Sequence, residues 1–132
     1  MKPRTFFIDS SFIYALLNRR DQFHGQAITV LSKLQDDDFF VLTDAIILES
    51  CSLLAALGAR ETIVEFVDDI MASDQYSIVH TDEDLFYRAY DLFKSYEDKE
   101  WSLVDCLSSL VMQEQSIQLA LTSDIILSRW AS

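Results

Sequence analysis

Four short apolar runs, RTFFI at 4–8, FFVLT at 39–43, YSIVH at 76–80 and IQLALT at 117–122, alternate with longer segments whose apolar residues recur at helical spacing. Strands separated by helices pair in parallel through right-handed crossovers, so the pattern predicts an α/β fold. The expected form is a three-layer α/β/α sandwich around a central parallel sheet of four strands, or five. SSFIYALLN reads as the first helix. A second runs from about Gln22, with Phe23, Ala27, Val30, Leu31 and Leu34 on one face, and ends at the acidic run Asp36, Asp37, Asp38. Ala45 to Leu57 is an apolar helix stopped by Gly58, and Arg60 to Ala72 and Asp82 to Tyr96 are amphipathic helices. A further helix starts near Ser102, and the chain closes in a short apolar tail, IILSRWAS. With one Pro and two Gly there is no linker or low-complexity segment, and residues 1–132 read as a single domain.

The charges are distributed unevenly. Asp9 is alone within residues 5–18, Glu49 within 45–59, Asp105 within 101–113 and Asp124 within 115–128. Acidic groups are rarely buried unpaired, because desolvating an ion costs several kcal/mol even after relaxation. If the four converge, a cation has to hold them together. A hard divalent ion such as Mg²⁺ or Mn²⁺ takes oxygen ligands and needs neither Cys nor His.

Bulk properties narrow the function. The net charge of −12 repels polyanions, which disfavours binding of nucleic acid through a broad basic face and leaves a nuclease needing local help. Arg19 and Arg20, after the first helix, are placed either to meet a phosphate or to sit as solvated cations at a helix end. Cys51 and Cys106 fall in apolar helical segments without His partners at ligand spacing, which reads as buried free thiols rather than a zinc site. The basic start before an apolar run imitates a secretory signal, but Asp9 interrupts it and no small-residue cleavage site follows. No uncharged apolar stretch is long enough to span a bilayer, and the expected location is the cytoplasm.

Sites in open parallel sheets form beyond the carboxyl ends of the strands where strand order reverses. Asp9 directly follows the first strand and Asp124 lies two residues past the last. An order of 3-2-1-4 puts both at the switch point. Glu49, about one turn into its helix, and Asp105, in the first turn of another, then reach the same crevice. Helix N-termini offset part of the crowding, by up to roughly 1 kcal/mol each, whereas two like charges at 4 Å cost about 4 kcal/mol at an effective dielectric of 20. Each acid also has a purely structural role available. Asp9 and Asp124 fit helix caps, and Ser102 with Asp105 forms a capping-box pattern. Glu49 sits past the capping positions and fits that role least. Asp44, placed where an N-cap belongs, is read as structural.

These segments resemble those of the PIN-domain nucleases, within them the bacterial toxin-like group called VapC. The likeness rests on FFIDSSFIYALL, LTDAIILES, SLVDC and ALTSD in order, with further echoes in DQFHGQA and YEDKEWSLVDC. It implies Asp9, Glu49, Asp105 and Asp124 as a catalytic and metal-binding site, Mg²⁺ or Mn²⁺ as cofactor, and endonucleolytic cleavage of single-stranded RNA. Ser10, Ser102 and Thr122 match hydroxyl positions beside that site. A homodimer and an antitoxin protein partner are implied as well. The chain departs from many relatives at its end, where an aromatic, a Gly and another strand usually follow the last Asp.

Phosphodiester attack develops negative charge on phosphoryl and leaving oxygens, which a bound cation stabilises while lowering the pKa of a ligated water. In this reading Asp9, Asp105 and Asp124 anchor the ion and Glu49 holds a ligand water, a second ion or the nucleophile. His24 and His80 are assigned to packing or surface. The helices around Phe66 and Phe86 either pack on the sheet or cover a dimer face. The alternative is a catalytically silent module of the same fold that binds a basic partner through its acidic crevice. A receiver domain would need a Lys late in the sheet, and IQLALTSD has none. A D-x-D phosphatase is disfavoured by Ser10 and Ser11.

Overall fold

Thr5–Ile8 forms strand β1 in the middle of the sheet, and its last three side chains are buried because both faces of the strand are covered. A computed structural model of the chain describes residues 3–96, 100–123 and 126–127. After β1 come α1 (Ser10–Leu17), α2 (His24–Ser32), β2 (Phe39–Thr43), α3 (Asp44–Ala56) and α4 (Arg60–Ala72). The remainder is β3 (Tyr76–Val79), α5 (Glu83–Ser95), α6 (Leu103–Glu114), β4 (Leu119–Leu121) and β5 (Ile126–Leu127).

The sheet order is β3-β2-β1-β4-β5, and the first four strands are mutually parallel. The expected 3-2-1-4 order is therefore present. The terminal segment departs from a plain apolar tail: β5 adds a fifth, antiparallel strand through Ala120↔Leu127 and Leu121↔Ile126. Its direction follows from chain length, because the connection after β4 is too short for the dozen or more residues a parallel crossover needs.

Right-handed crossovers place helices that precede the reversal of strand order on one face and those that follow it on the other. α1 packs on α2 and α3, and α3 on α4, whereas α5 and α6 pack together. Between the layers lie Phe7, Leu42, Ile46, Leu54 and Met112, all without solvent exposure. Phe6, Phe40 and Tyr76 stack across β1, β2 and β3 with ring centroids 5.9 and 4.9 Å apart, and burial pushes the Tyr76 hydroxyl pKa up. At the entry to β1 the Arg4 guanidinium binds the fully buried Asp38 carboxylate at 2.7 Å, tying the chain start to the turn before β2.

Two helix starts differ from the sequence reading. Thr43, not Asp44, is the N-cap of α3, its hydroxyl oxygen accepting the Ile46 amide at 3.2 Å. Asp44 remains structural by another device. Its carboxylate accepts the Thr81 amide at 3.0 Å and hydroxyl at 2.7 Å and the Ala45 amide at 2.8 Å, fastening the end of β2 to the segment after β3. Desolvation pulls its pKa up, but these donors and nearby His80 outweigh it and leave the carboxyl below its ordinary value. α2 begins at His24 rather than Gln22 because the Asp21 carboxylate accepts the Phe23 amide at 2.8 Å and holds the preceding residues in a turn.

Candidate active site

The carboxyl ends of β1 and β4 lie side by side, joined by a hydrogen bond from the Asp9 amide to the Leu121 carbonyl at 3.0 Å. This is the point where strand order reverses, and Asp9 stands on it. Asp9 is also the N-cap of α1, its carboxylate accepting the Ser11 amide at 3.2 Å and the Ser11 hydroxyl. The structural and the site roles thus coincide in one side chain.

Asp9 is only 9% exposed, and its pKa is raised. Desolvation is the main cause; the two Ser11 donors oppose it, and the negative charges of Asp105 and Glu49 add to it. Asp9, just past β1, thus feels the charges of Glu49 on α3 and Asp105 on α6. Glu49, half-buried on α3, accepts the hydroxyl hydrogen of Ser10 on α1. Asp105 lies in the first turn of α6 and closes the expected capping box. Its amide donates to the Ser102 hydroxyl at 3.0 Å, and its carboxylate accepts the Ser102 amide at 3.1 Å. Behind it, burial pushes the Cys106 thiol pKa up, with the Asp105 charge contributing. Thr122 is half-buried just past β4. Asp124 lies outside the described residues.

Ser11 was not singled out in the sequence. Its hydroxyl donates to Asp9 and accepts the Ser123 amide at 3.0 Å, so it links the start of α1 to the chain leaving β4. The available signal was a second hydroxyl at the first turn of a helix beginning just after a lone Asp. Asp21, from the DQFHGQA segment, lines a cleft together with Ser10, Ser11, Tyr14, Glu49 and Ser123. The cleft holds about 450 Å³, and no basic side chain lines it among the described residues. His24 makes a packing contact as expected, its Nδ1 lying 2.8 Å from the Ala15 carbonyl, and His80 is exposed.

The donor chemistry suits a hard cation. Asp9 is a buried carboxylate that feels the charges of Asp105 and Glu49, has the Ser11 hydroxyl against it and makes no ion pair among the described residues. Among the described residues, no three carboxylate, imidazole or thiol groups stand close enough to enclose one ion by themselves.

The profile of the PIN domain family matches residues 6–132, nearly the whole length. The chain belongs to the PIN domain family. Among solved structures it is similar to the toxin VapC20 of Mycobacterium tuberculosis, described as cleaving the sarcin–ricin loop. The TM-score is 0.79 at 26% identity, over 89% of this chain and 88% of that one. No curated protein sequence gives a significant match. No helix among the described residues is long and apolar enough to cross a membrane.

Proposed function

We propose that this PIN-domain protein is a metal-dependent endoribonuclease of the VapC kind, hydrolysing phosphodiester bonds in single-stranded RNA. One observation carries the reading. Asp9 is buried, its charge is disfavoured by desolvation, and its charged neighbours among the described residues are two further acids. Like charges gathered in this way are relieved when a cation or protons compensate them.

Asp9, Asp105 and Asp124 are assigned as anchors for Mg²⁺ or Mn²⁺, with Glu49 beside them. A divalent ion bound there supplies charge neutralisation and a water acidified toward hydroxide. The chain's own groups prepare that role. Ser11 orients Asp9, Ser10 fixes one Glu49 oxygen, and the capping box sets the direction of Asp105. Ser102 acts as the cap that steadies Asp105, and Thr122 is assigned to the rim with Asp124.

The toxin role, a cytoplasmic location and an antitoxin partner follow by analogy with the VapC relative. A homodimer is supported by exposed apolar side chains on α5, where Phe86, Tyr87, Tyr90 and Phe93 are 40–58% exposed. The deciding experiment incubates purified protein with a labelled single-stranded RNA in Mg²⁺, Mn²⁺ or excess chelator. Cleavage in metal, none in chelator and none by Asp9→Asn supports the assignment; metal-independent cleavage, or full activity in Asp9→Asn, overturns it.

A further inference from the structure

The acidic cleft does not end at Tyr14. Tyr14 and Asp21 also wall a neighbouring cleft of about 680 Å³, whose other lining includes Arg19, Arg20 and the exposed Leu57. The two depressions are therefore consecutive along the surface, one acidic and one with two guanidinium groups.

The described cations of this chain divide into paired and unpaired, and of the unpaired ones only Arg19 and Arg20 line either cleft. Among the described residues, Arg4 pairs with Asp38, Arg88 with Asp84 and Glu114, and Lys94 with Asp91. Arg19 and Arg20 make no ion pair within the described residues, although the protein carries 22 acidic side chains. A helix-end role does not account for them. α1 ends at Leu17 with Asn18 as its C-cap and has no basic residue in its last turn, whereas the dipole's influence fades within that turn. Both arginines instead lie in a turn pinned by the Asn18 side chain, whose Oδ1 accepts the Arg20 amide at 3.3 Å. The Asp21 amide donates to the Asn18 carbonyl at 3.0 Å.

We propose that Arg19 and Arg20 form a phosphate-binding track that holds single-stranded RNA beside the acidic cleft, with the Tyr14 ring as a stacking surface at the junction. This rests on the ribonuclease reading above. In a protein of net charge −12, the strand reaches a carboxylate-lined cleft only where unpaired cations stand next to it, and these two are so placed. A guanidinium fork suits phosphate oxygens, and an aromatic face accepts any base. The track contributes to holding the strand and takes no part in bond cleavage.

The test compares wild type, Arg19→Ala/Arg20→Ala, Arg19→Lys/Arg20→Lys and a control, Lys33→Ala/Arg60→Ala, which removes two other cations without an ion pair among the described residues. Cleavage of a single-stranded RNA of about twelve nucleotides should show KM raised about tenfold in the double Ala variant with kcat unchanged. The double Lys variant recovers most of the loss, and the control matches wild type. Binding of the same RNA by each variant carrying Asp9→Asn should give a log Kd against log salt slope shallower by about 1.4 for the double Ala variant, at about 0.7 per phosphate contact. A KM and a salt slope equal to wild type overturn the track, as does an equal loss in the control. If wild type leaves RNA intact, the ribonuclease reading fails on its own. The binding series then still decides: a shallower slope confined to the double Ala variant supports the track, and equal slopes or no binding by any variant reject it.

Discussion

Ser10 in α1 donates its hydroxyl hydrogen to the Glu49 carboxylate in α3, joining two helices that meet beside the end of β1. Ser10 is buried and Glu49 only half so, which makes the serine the fixed partner and the carboxylate the one that is held. Ser10→Ala removes that restraint. The expected outcome is a loss of about 1 kcal/mol in stability, with RNA cleavage falling roughly tenfold, equivalent to about 1.4 kcal/mol of lost positioning. Urea denaturation and initial rates on the same preparation check both numbers.

Asp9→Asn should separate stability from activity. The amide keeps an acceptor for the Ser11 donors and removes a charge that burial, Asp105 and Glu49 all disfavour. Metal-free protein should therefore be as stable as wild type or more so, by on the order of 1 kcal/mol for each pKa unit the group is raised, while cleavage is lost. A variant that is destabilised and still active contradicts the placement of Asp9.

Metal binding is measurable without RNA. Mn²⁺ at about a hundred times its Kd should stabilise the folded protein by about 2.7 kcal/mol through mass action, visible as a rise in Tm. Asp9→Asn should abolish the rise. An unchanged Tm for wild type across the titration, with calorimetry showing no heat, removes the metal from the mechanism.

Two acids give opposite pH dependences. The Arg4 guanidinium beside Asp38, helped by the Gln35 amide, holds that carboxyl below its ordinary range against an opposing desolvation. The unfolded chain then binds the proton first as pH falls. The stability from this pair is present above about pH 4, the ordinary carboxylate value, and is lost as pH drops through the lower folded pKa. Asp9, with a raised pKa, costs stability as pH rises from the ordinary value through the folded one. Asp38→Asn should flatten the acid side of a stability profile and lower stability at pH 7 by roughly 1–3 kcal/mol. Asp9→Asn should lift the neutral side. Urea midpoints of metal-free protein between pH 3 and 7 distinguish the two.

Much of the architecture was legible because each parallel strand is a short apolar run and each helix has its own stripe. The order 3-2-1-4 followed from asking where Asp9 and Asp124 would have to stand. The antiparallel β5 was not legible: two residues carry no period, and its direction comes from the shortness of the connection after Leu121. Thr43 displaced Asp44 as a cap because a threonine ending a strand looks like strand, and only the Ile46 amide shows its second role. Ser11 was passed over for Ser10 because adjacent hydroxyls look alike in sequence. Their opposite assignments, Ser11 to Asp9 and Ser10 to Glu49, depend on how α1 leaves β1 and where α3 crosses it.

Asp105 serves two masters, since the oxygen that closes the capping box belongs to the same group that bears on Asp9. Its bearing is decided when α6 winds, before anything enters the cleft. Glu at that position still closes the box, the longer acid being the commoner partner there, but it carries its charge one methylene away from the place that bears on Asp9.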